Sequence, residues 1–470
     1  MLVISAIRLA PVRRKGHIPR MSRDSERNSL PRRVRRYARV GAALSGAAVR
    51  MGAARLSGDD TRSRQAAILR EALGHLKGPL IKVAQLLATV PDALPPEYAA
   101  ELIKLQTNAP PMGPAFVRRR MAAELGEGWR EKFADFEMQA AAAASLGQVH
   151  RARAHDGRAL AVKLQYPDMA ATVAADLKQL KLILSIHRRL DPAIDTSEIY
   201  RELCERLAEE LDYERERKHI LLYRELLKEQ PRVRVPEPVA ELSTRRLLTM
   251  TWLSGKGMLH YRDAPQEVRN QLATWLFRAW WEPFYSFGVI HGDPHLGNYS
   301  VWEENGEPVG INLIDFGCVR IFPARFVAGV VELWHGLRED DFERTAAAYE
   351  MWGFRGLNRE LIEILNIWAR FIYGPVLEDR ERTMADGIDP VQYGRREAFR
   401  VHRLLREKGP VTIPQEFVFM DRAAIGLGAV FIHLGAKLNF HRLFVSAMRR
   451  HPREALDARQ RAALRKARLA

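Results

Sequence analysis

The spacing of apolar residues predicts that the chain is helical from about residue 60 to 126. Apolar positions recur there every three or four residues and mark one helix face, at Leu73, Leu76, Leu80, Val83 and Leu87. Proline pairs at residues 95–96 and 110–111 interrupt the pattern, and helices should end there. Lys82 and Gln85 are three positions apart, so they project together from a neighbouring face of one helix.

Strand patterns follow this helical stretch. Short β-rich runs occupy residues 133–139, 146–154 and 159–165. Asp156-Gly157 lies between the last two runs and is a strong hairpin dipeptide. Two helices and then two further strands are predicted at residues 168–190, 197–228, 239–241 and 246–253.

The pattern beyond residue 257 is helical, apart from one segment between residues 289 and 317. A small strand-bearing part followed by a larger helical part predicts an α+β fold of two lobes, with a helical N-terminal extension. The predicted segments are a basic, partly disordered N-terminus, a helical extension, an N-lobe and a C-lobe with a basic tail, at residues 1–58, 59–132, 133–255 and 256–470.

Composition indicates a soluble globular protein whose charge lies at its ends. The chain has 470 residues, of which 47% are hydrophobic and 28% charged, and two cysteines, too few for a disulfide framework. The net charge of +17 consists of +12 in residues 1–58, +6 in residues 449–470 and −1 between them. By simple electrostatics such basic ends suit anionic lipid or nucleic acid, and a solvated tail that only aids solubility is an equal alternative. No zinc-finger or aromatic-studded motif is present, so no nucleic-acid partner is expected.

The sequence contains little evidence for a membrane-spanning helix and some for a targeting segment. The longest uncharged apolar stretch, residues 423–436, has 14 residues, fewer than the ~20 that a spanning helix needs. The sequence therefore predicts no membrane-spanning segment. Residues 1–40 are rich in arginine and poor in acids, as in a mitochondrial transit peptide, and Met21 offers a second start position.

Three polar residues in the segment at residues 289–317 indicate phosphate chemistry. Asp293 follows an apolar run in His-Gly-Asp, Asn298 comes five residues later, and Asp315 follows another apolar run in Asp-Phe-Gly. Phosphoryl transfer needs one carboxylate near the accepting hydroxyl, and an Asn and an Asp that hold metal against the phosphates. The dipeptide Asn305-Gly306 predicts the hairpin that returns Asp315 to this loop. Asp and Asn beside Gly and Pro usually make turns alone, but the three motifs together favour a kinase-like phosphate site.

Lys163 and a run of alanines precede this segment. Lys163 alternates out of an apolar strand, where it can contact phosphate oxygens if a carboxylate orients it, although an isolated strand lysine usually faces solvent. The predicted turn before the second strand, residues 140–148, contains Ala142, Ala143, Ala144 and Ser145. Kinases commonly have glycines there, and alanine lacks the positive-φ freedom of glycine. We therefore expect a stiffer loop with a different nucleotide preference.

An acidic run supplies candidate partners for Lys163. Glu210, Asp212 and Glu216 lie in a predicted helix, and one of them should pair with the lysine. Glu210 and Asp212 cannot point the same way on a helix, whereas Asp212 and Glu216, four positions apart, can. Without the neighbouring motifs such a run would be interpreted as a solvated helix face.

The motifs in this order resemble the UbiB family of atypical protein-kinase-like proteins of the AarF/ADCK type. The stretches that carry the resemblance are AAAASLGQVHRA, AVKLQYP, EELDYERE, FGVIHGDPHLGN and LIDFG. Residues 80–87 resemble the family's Lys-x-Gly-Gln element, although Ala84 replaces its glycine. His219 stands where many members have asparagine. The resemblance runs from about residue 60 to 330 and implies a protein-kinase-like fold of two lobes.

The resemblance implies a role for each candidate residue, with ATP and Mg²⁺ as cofactors. Lys163 would contact the α- and β-phosphates and pair with Glu216, Asp293 would be the catalytic-loop acid, and Asn298 and Asp315 would bind Mg²⁺. The nucleotide-binding loop would comprise Ala142, Ala143, Ala144 and Ser145. A gating helix with Lys82 and Gln85 would cover the site near Glu210 and Asp212.

The implied function is ATP hydrolysis or phosphoryl transfer in support of ubiquinone and related prenyl-lipid biosynthesis, rather than general protein phosphorylation. The implied partners are prenyl-lipid or quinone precursors, quinone-biosynthesis proteins and an anionic membrane surface. The expected location is cytoplasmic and peripheral on the inner membrane, or mitochondrial in a eukaryote.

Two alternatives remain open at this point. One is a small-molecule phosphotransferase of the aminoglycoside or choline kinase type, which also uses His-Gly-Asp, Asn and a later Asp but lacks the alanine loop and the Lys82/Gln85 helix. The other is a non-catalytic, nucleotide-sensing scaffold that binds lipid through its basic ends. Intact Asp293, Asn298 and Asp315 count against the scaffold.

Overall fold

A computed structural model describes residues 113–166 apart from position 145, 207–386, 414–449 and 453–470, with isolated positions between 169 and 205 and between 400 and 408. The predicted N-terminal segment and most of the helical extension, including Lys82 and Gln85, lie outside these residues. Most of the helix predicted at residues 168–190 also lies outside them.

The described helices alternate with short connections and dominate the second half of the chain. They are α1 (Pro114–Leu125), α2 (Tyr213–Leu226), α3 (Gln266–Phe287), α4 (Ala324–Glu339), α5 (Phe342–Trp352), α6 (Arg359–Leu377), α7 (Gln415–Leu434), α8 (Phe440–Arg449) and α9 (Leu456–Lys466).

The strands are short and fall into two main groups along the chain. They are β1 (Asp135–Ala144), β2 (Gly147–Arg153), β3 (Ala159–Gln165), β4 (Val233–Arg234), β5 (Leu247–Thr251), β6 (Lys256–Gly257), β7 (Val289–His291), β8 (Tyr299–Glu304), β9 (Glu307–Leu313), β10 (Val319–Ile321), β11 (Arg382–Thr383) and β12 (Lys437–Leu438).

The chain divides into two compact units, and the smaller unit carries a four-stranded sheet. Its described residues lie within 113–213 and 240–249, and its strand order is β1-β2-β3-β5. The hairpin of β2 and β3 is antiparallel and closes at Asp156-Gly157, where Gly157 has φ +88°, as predicted. Every position of β3 after Ala159 is buried, including neighbours on opposite faces such as Leu160 and Ala161, so both faces of this strand are covered.

The carboxylate of Glu124 joins α1 to the start of β5 within this unit. It accepts hydrogen bonds from the Arg120 guanidinium at 3.3 Å, the Thr244 hydroxyl at 2.5 Å and Arg246 Nε at 2.8 Å. The Arg120 side chain is 2% exposed and that of Glu124 is 5% exposed. Such a buried charge is tolerable only because its partners compensate its desolvation.

The alanine run is a strand rather than the turn that the sequence predicted. Residues 140–144 complete β1 and pair with β2, with irregular register at Ala140. Ala142, Ala143 and Ala144 therefore form a strand end, while Ser145 lies outside the described residues. Pairing with β2 satisfies the backbone groups that a loop would leave to water, and alanine fits extended backbone without strain.

A second prediction, the strand at residues 239–241, was wrong. Ala240–Leu242 is a turn of 3₁₀ helix. The Thr249 hydroxyl donates to the Leu242 carbonyl at 2.6 Å, and the Ser243 hydroxyl accepts from Thr249 N–H at 3.0 Å. The hydroxyls of Ser243 and Thr249 thus bond backbone groups that strand pairing could otherwise use.

The helix predicted at residues 197–228 is interrupted at Leu211-Asp212. Residues 207–210 are helical, Leu211 is a turn, and α2 begins at Tyr213. Gln165 Nε2 donates to the Leu211 carbonyl at 2.8 Å, which holds the break against β3. Asp212 therefore precedes α2, and the expectation that Asp212 and Glu216 share one continuous helix was wrong.

The larger unit contains Glu214–Val239 and the described residues from Met250 onward. Its strands form a four-stranded sheet of order β4-β9-β8-β6 and two ribbons, β7 with β10 and β11 with β12. The helices pack an aromatic core around α3, whose buried members include Trp280, Phe277 and Phe284. A smaller unit rich in strands and a larger unit rich in helices agree with the predicted α+β class.

The hairpin of β8 and β9 closes as the sequence predicted. Asn305 has φ +53° and Gly306 has φ +84°, the pair of positive values that a two-residue hairpin turn needs. Glu304 pairs with Glu307, so the turn consists of Asn305 and Gly306 alone. Two-residue turns of this kind match the twist of the strands that they join.

One helix in the described part of the chain passes the length and composition test for a membrane span. This stretch, Glu416–Leu434, has 19 residues and is 35% buried. The uncharged stretch at residues 423–436 is shorter than this helix because the charged residue Asp421 lies within the helix. The Asp421 carboxylate accepts a hydrogen bond from Trp368 Nε1 at 2.8 Å. Core helices of soluble proteins pass the same test, so the helix is weak support for membrane insertion.

Candidate functional site

The ribbon of β7 and β10 brings two of the predicted carboxylates to one end. His291 pairs with Val319, so the chain leaves β7 at the same end at which it enters β10. Gly292 N–H donates to the Cys318 carbonyl at 2.6 Å and extends the pairing by one step. Asp293 and Asp315 therefore lie on adjacent segments, as the order of the motifs predicted.

Gly292 is required at this end by close packing. A Cβ atom on it would lie 2.8 Å from Cys318 Sγ, closer than side chains tolerate. The glycine of His-Gly-Asp thus lets the two segments approach, a role that follows from its small size rather than from a special φ.

Asn298 is tied to the Asp293 segment through its side chain. Its Nδ2 donates to the Asp293 carbonyl at 2.9 Å, and its own carbonyl accepts from Ile314 N–H at 3.1 Å. The second bond continues the pairing of β8 with β9, so Asn298 lies beside the residue that precedes Asp315. The three predicted residues therefore converge, and Asp293 itself is exposed.

The donor set at this point fits Mg²⁺ held jointly with phosphate. Asn298 Nδ2 donates to the Asp293 carbonyl, so Oδ1 is the side-chain atom of Asn298 that could bind a cation, and Asp315 Oδ1 accepts from Gly317 N–H at 2.9 Å. Mg²⁺ takes one or two protein oxygens and completes its shell with phosphates and water. Among the residues described here, no group of three or more His, Cys, Asp or Glu could hold a metal alone. These residues would hold Mg²⁺ together with a nucleotide.

Two buried aromatic residues hold Phe316 in place after Asp315. Phe316 is fully buried, and its ring centroid lies 5.2 Å from that of Tyr223 and 5.9 Å from that of His291. Trp280 Nε1 donates to the His291 carbonyl at 3.0 Å, which anchors this strand on α3. The position of Asp315 is thus set by core packing on its C-terminal side.

Helix α2 contacts both backbone groups of Phe316. Glu216 Oε1 lies 3.5 Å from Phe316 N, at the limit of a hydrogen bond, and His219 Nδ1 lies 3.0 Å from Phe316 O. Glu216 is 3% exposed and His219 is 1% exposed. Burial lowers the pKa of His219 to about 3, against the smaller opposing effect of its bond to Phe316. The ring is therefore neutral, with Nδ1–H as donor to the carbonyl.

From the sequence, His219 was noted only because many family members have asparagine at this position, and it was not predicted to be a site residue. The spacing could have indicated a role for His219, because it lies three positions after the candidate Glu216 and residues three apart on a helix share a face. Its partner, a backbone carbonyl 97 positions later, could not be inferred from the sequence.

Lys163 belongs to the smaller unit. It lies in β3 with 7% of its surface exposed, and its Nζ is 5.1 Å from the Tyr213 ring centroid, a cation–π distance. Tyr213 was not among the predicted site residues. The pairing of Lys163 with Glu216 stays a prediction.

Two acids proposed for gating, Glu210 and Asp212, are half-buried in the smaller unit. Asp212 Oδ2 lies 3.7 Å from Arg245 Nε, and both side chains are partly exposed, so this ion pair contributes little stability. Glu210 is half-buried at the end of the preceding helical turn. Since Lys82 and Gln85 lie outside the described residues, the gating arrangement stays a prediction.

Comparison with known proteins identifies relatives of this chain. The sequence profile of the ABC1 atypical kinase-like domain matches residues 104–349. The chain is 31% identical over 253 residues to the mitochondrial atypical kinase COQ8 of Saccharomyces cerevisiae, a match that covers 54% of this chain and 50% of that protein. It is 33% identical over 390 residues to the uncharacterized protein sll1770 of Synechocystis sp., covering 81% of this chain and 63% of that protein.

A solved structure, that of Rv3197 of Mycobacterium tuberculosis in complex with erythromycin, is also similar. It has a TM-score of 0.56 and 28% sequence identity, and the match covers 79% of this chain and 92% of that one. The predicted kinase-like α+β fold, with a strand-rich N-lobe and a helical C-lobe, is thereby confirmed. The chain spans about half the length of the atypical kinases that it matches, 43% and 50% of two of them.

Proposed function

Because the chain belongs to the ABC1 atypical kinase-like family, we propose that it is a Mg-ATP-dependent kinase or ATPase that supports ubiquinone or related prenyl-lipid biosynthesis. The observation that carries the proposal is the convergence of Asp293, Asn298 and Asp315 at one end of the ribbon of β7 and β10. Relatives of the chain are named atypical kinases, which supports ATP as the nucleotide.

The proposed chemistry assigns Asp293 to the accepting group. Asp293 is exposed just beyond the end of the paired strands β7 and β10, so its carboxylate can orient and deprotonate a hydroxyl or a water molecule. Asn298 and Asp315 would hold Mg²⁺, which when bound neutralises charge on the phosphates. Lys163 would contact the α- and β-phosphates, and Glu216 would orient it.

Nucleotide specificity in the proposal depends on β1 and β2. Ala142, Ala143 and Ala144 pair with β2 and leave fewer free backbone N–H groups than a glycine loop would. We therefore expect phosphate binding to depend more on Lys163 and Mg²⁺ than on backbone N–H groups. Ser145 would complete this contact.

The substrate proposal is a prenyl lipid or quinone precursor at an anionic membrane surface, in contact with other quinone-biosynthesis proteins. Lys82 and Gln85, with Glu210 and Asp212, would restrict access by protein substrates and favour hydrolysis or a small acceptor. The basic residues 1–58, with a net charge of +12, support an electrostatic membrane contact. The resemblance to the UbiB family supports the lipid class, and the location would be peripheral on an inner membrane.

One experiment tests the proposed function. Phosphate release from Mg-ATP is measured for the purified full chain and for Asp293→Asn, with and without anionic liposomes that contain a quinone-precursor mimic. We expect turnover that liposomes increase and that Asp293→Asn reduces at least about 100-fold. Nucleotide-dependent thermal stabilisation without turnover in the wild type would favour the scaffold instead. Transfer of phosphate to an aminoglycoside or choline would favour the small-molecule kinase.

A further inference from the structure

The C-terminal helix α9 donates hydrogen bonds at the end of the ribbon of β7 and β10. Gln460 Nε2 donates to the Phe287 carbonyl at 2.7 Å and to the Phe322 carbonyl at 2.8 Å. Phe287 is the last residue of α3, and Phe322 directly follows β10. One side-chain amide therefore joins the helix that precedes β7 to the strand that follows Asp315.

Gly288 makes this junction compact. It has φ +66° and ends α3, and its carbonyl accepts from Phe322 N–H at 2.7 Å, so it opens the ribbon. A Cβ atom at this position would lie 2.5 Å from Phe322 O and 2.7 Å from Gln460 Nε2. The Phe322 carbonyl and the Gln460 amide, which are hydrogen-bonded to each other, thus both pack where a side chain at position 288 would begin.

Two neighbours of Gln460 fix α9 on the same unit. Arg459 Nε donates to the Ser286 carbonyl at 2.9 Å, which satisfies another carbonyl at the end of α3. Lys466 Nζ lies 2.8 Å from Glu225 Oε1 on α2, the helix that carries Glu216 and His219. Leu456 and Ala463 are buried beneath the helix. Residues 456–466 of the predicted basic tail therefore form a packed helix.

The ribbon of β7 and β10 is the short element that connects Gln460 to the candidate site. Gly288 is five residues before Asp293, and Phe322 is seven residues after Asp315, with the paired strands between them. The ribbon has two strands, so a clamp at one end limits how far its other end can tilt or fray. Gln460 bonds the end of the ribbon at which Val289 pairs with Ile321. The predicted metal ligands lie beyond the opposite end, at which His291 pairs with Val319.

We propose that Gln460 is a positioning residue, which sets the placement of Asp293 and Asp315 by clamping the far end of the β7–β10 ribbon. The inference rests on the proposed function for its catalytic consequence, but the clamp itself rests on the hydrogen bonds of Gln460. Helix α9 is then part of the catalytic unit rather than a free lipid-binding tail. Arg461, Arg465 and Arg468 are exposed on the same segment and remain accessible to other partners.

The test compares variants of the full chain that remove or restore the hydrogen-bond donor at position 460. Gln460→Glu keeps the shape but places an acceptor against two carbonyls, and Gln460→Lys restores a donor. Arg461→Ala alters the exposed neighbouring position and is the matched control. For each variant, hydrogen exchange is measured at residues 288–293 and 319–322, together with the Mg²⁺ concentration for half-maximal ATP turnover.

We expect Gln460→Glu to accelerate exchange in both segments and to raise the half-maximal Mg²⁺ concentration about tenfold, as loss of two net hydrogen bonds would. Gln460→Lys should return both readouts to within about twofold of the wild type, and Arg461→Ala should leave them unchanged. If Gln460 had only a structural role, Gln460→Glu would lower the amount of active protein but would leave the half-maximal Mg²⁺ concentration unchanged. Should Gln460→Glu fail to fold, Gln460→Ala, which leaves the carbonyls to water, is measured instead.

Wild-type exchange rates and Mg²⁺ dependence in Gln460→Glu would overturn the proposal. A wild-type chain without ATP turnover would count against the proposed function alone, since the exchange readout does not require turnover. In that case, faster exchange at β7 and β10 in Gln460→Glu still supports the clamp, and unchanged exchange overturns it.

Discussion

His291 Nε2 lies 2.5 Å from the main-chain oxygen of Asp315. This contact joins the strand that leads to Asp293 with the residue predicted to bind metal, across 24 positions of sequence. Since the carbonyl can only accept, the ring must carry its hydrogen on Nε2. The two acidic segments are therefore held both by strand pairing and by a side chain from within the motif.

Asp315→Asn tests the metal-binding prediction. The amide oxygen can still accept from Gly317 N–H, so the fold should be retained, but the negative charge predicted to bind Mg²⁺ is lost. We expect ATP turnover to fall at least about 100-fold, with the free energy of unfolding changed by less than about 1 kcal/mol. Steady-state kinetics and urea unfolding measure the two quantities.

Glu307→Gln is the matched control for Asp315→Asn. It removes one negative charge from the other end of the same hairpin, where Glu307 is exposed. Equal losses of turnover in the two variants would mean that general charge, and not a ligand position, explains the result.

The burial of His219 predicts a dependence of stability on pH. Burial lowers its pKa in the folded chain to about 3, whereas an unfolded histidine titrates near pH 6.5. Between these values the unfolded chain binds the extra proton, so the free energy of unfolding falls as the pH falls, by at most about 1.4 kcal/mol per pH unit. The contribution is fully present above about pH 6.5.

His219→Asn should remove this dependence, because the amide can donate to Phe316 O but does not titrate. Urea unfolding at pH 7.5 and 5.5 should give a smaller difference for the variant than for the wild type. His433→Asn replaces an exposed histidine of the same unit and should keep the wild-type difference. The same slope in all three proteins would contradict the assignment to His219.

Gly288→Ala should destabilise the larger unit strongly. The added Cβ would meet Phe322 O and Gln460 Nε2 within 2.7 Å, at a positive φ that alanine disfavours. We expect a loss of about 3 kcal/mol or more in the free energy of unfolding.

The comparison for this substitution is Gly306→Ala. Gly306 also has positive φ, but nothing lies within 4 Å of the added atom. Backbone strain alone should then cost about 1 kcal/mol. If both variants lost the same free energy in thermal or urea unfolding, the contact at Gly288 would be unimportant.

Glu124→Gln should destabilise the smaller unit. The substitution removes the negative charge that compensates buried Arg120, and it presents an amide to three donors. We expect a loss of about 3 kcal/mol in local stability, measured by hydrogen exchange of β3. Glu127→Gln, at an exposed position three residues later, should exchange like the wild type. Similar exchange in the two variants would argue against the buried network.

Local sequence was sufficient for several features of the fold and site. Asn305-Gly306 specified its hairpin because both positions need positive φ and few residues tolerate it. The order of Asp293, Asn298 and Asp315, each after an apolar run, was sufficient to predict that they converge. These features depend on residues close in the chain, whose preferences act over one turn or one hairpin.

Other features were decided by contacts between distant parts of the chain. The alanine run became the end of β1 because β2 pairs with it, and the break at Leu211 exists where Gln165 bonds its carbonyl, 46 positions away. Gln460 reaches Phe322 across 138 positions. The sequence by itself therefore determined the family, the α+β class and the chemical groups of the site. Tertiary structure alone decided how these groups are held, because a buried polar group takes its partner from whichever segment packs against it.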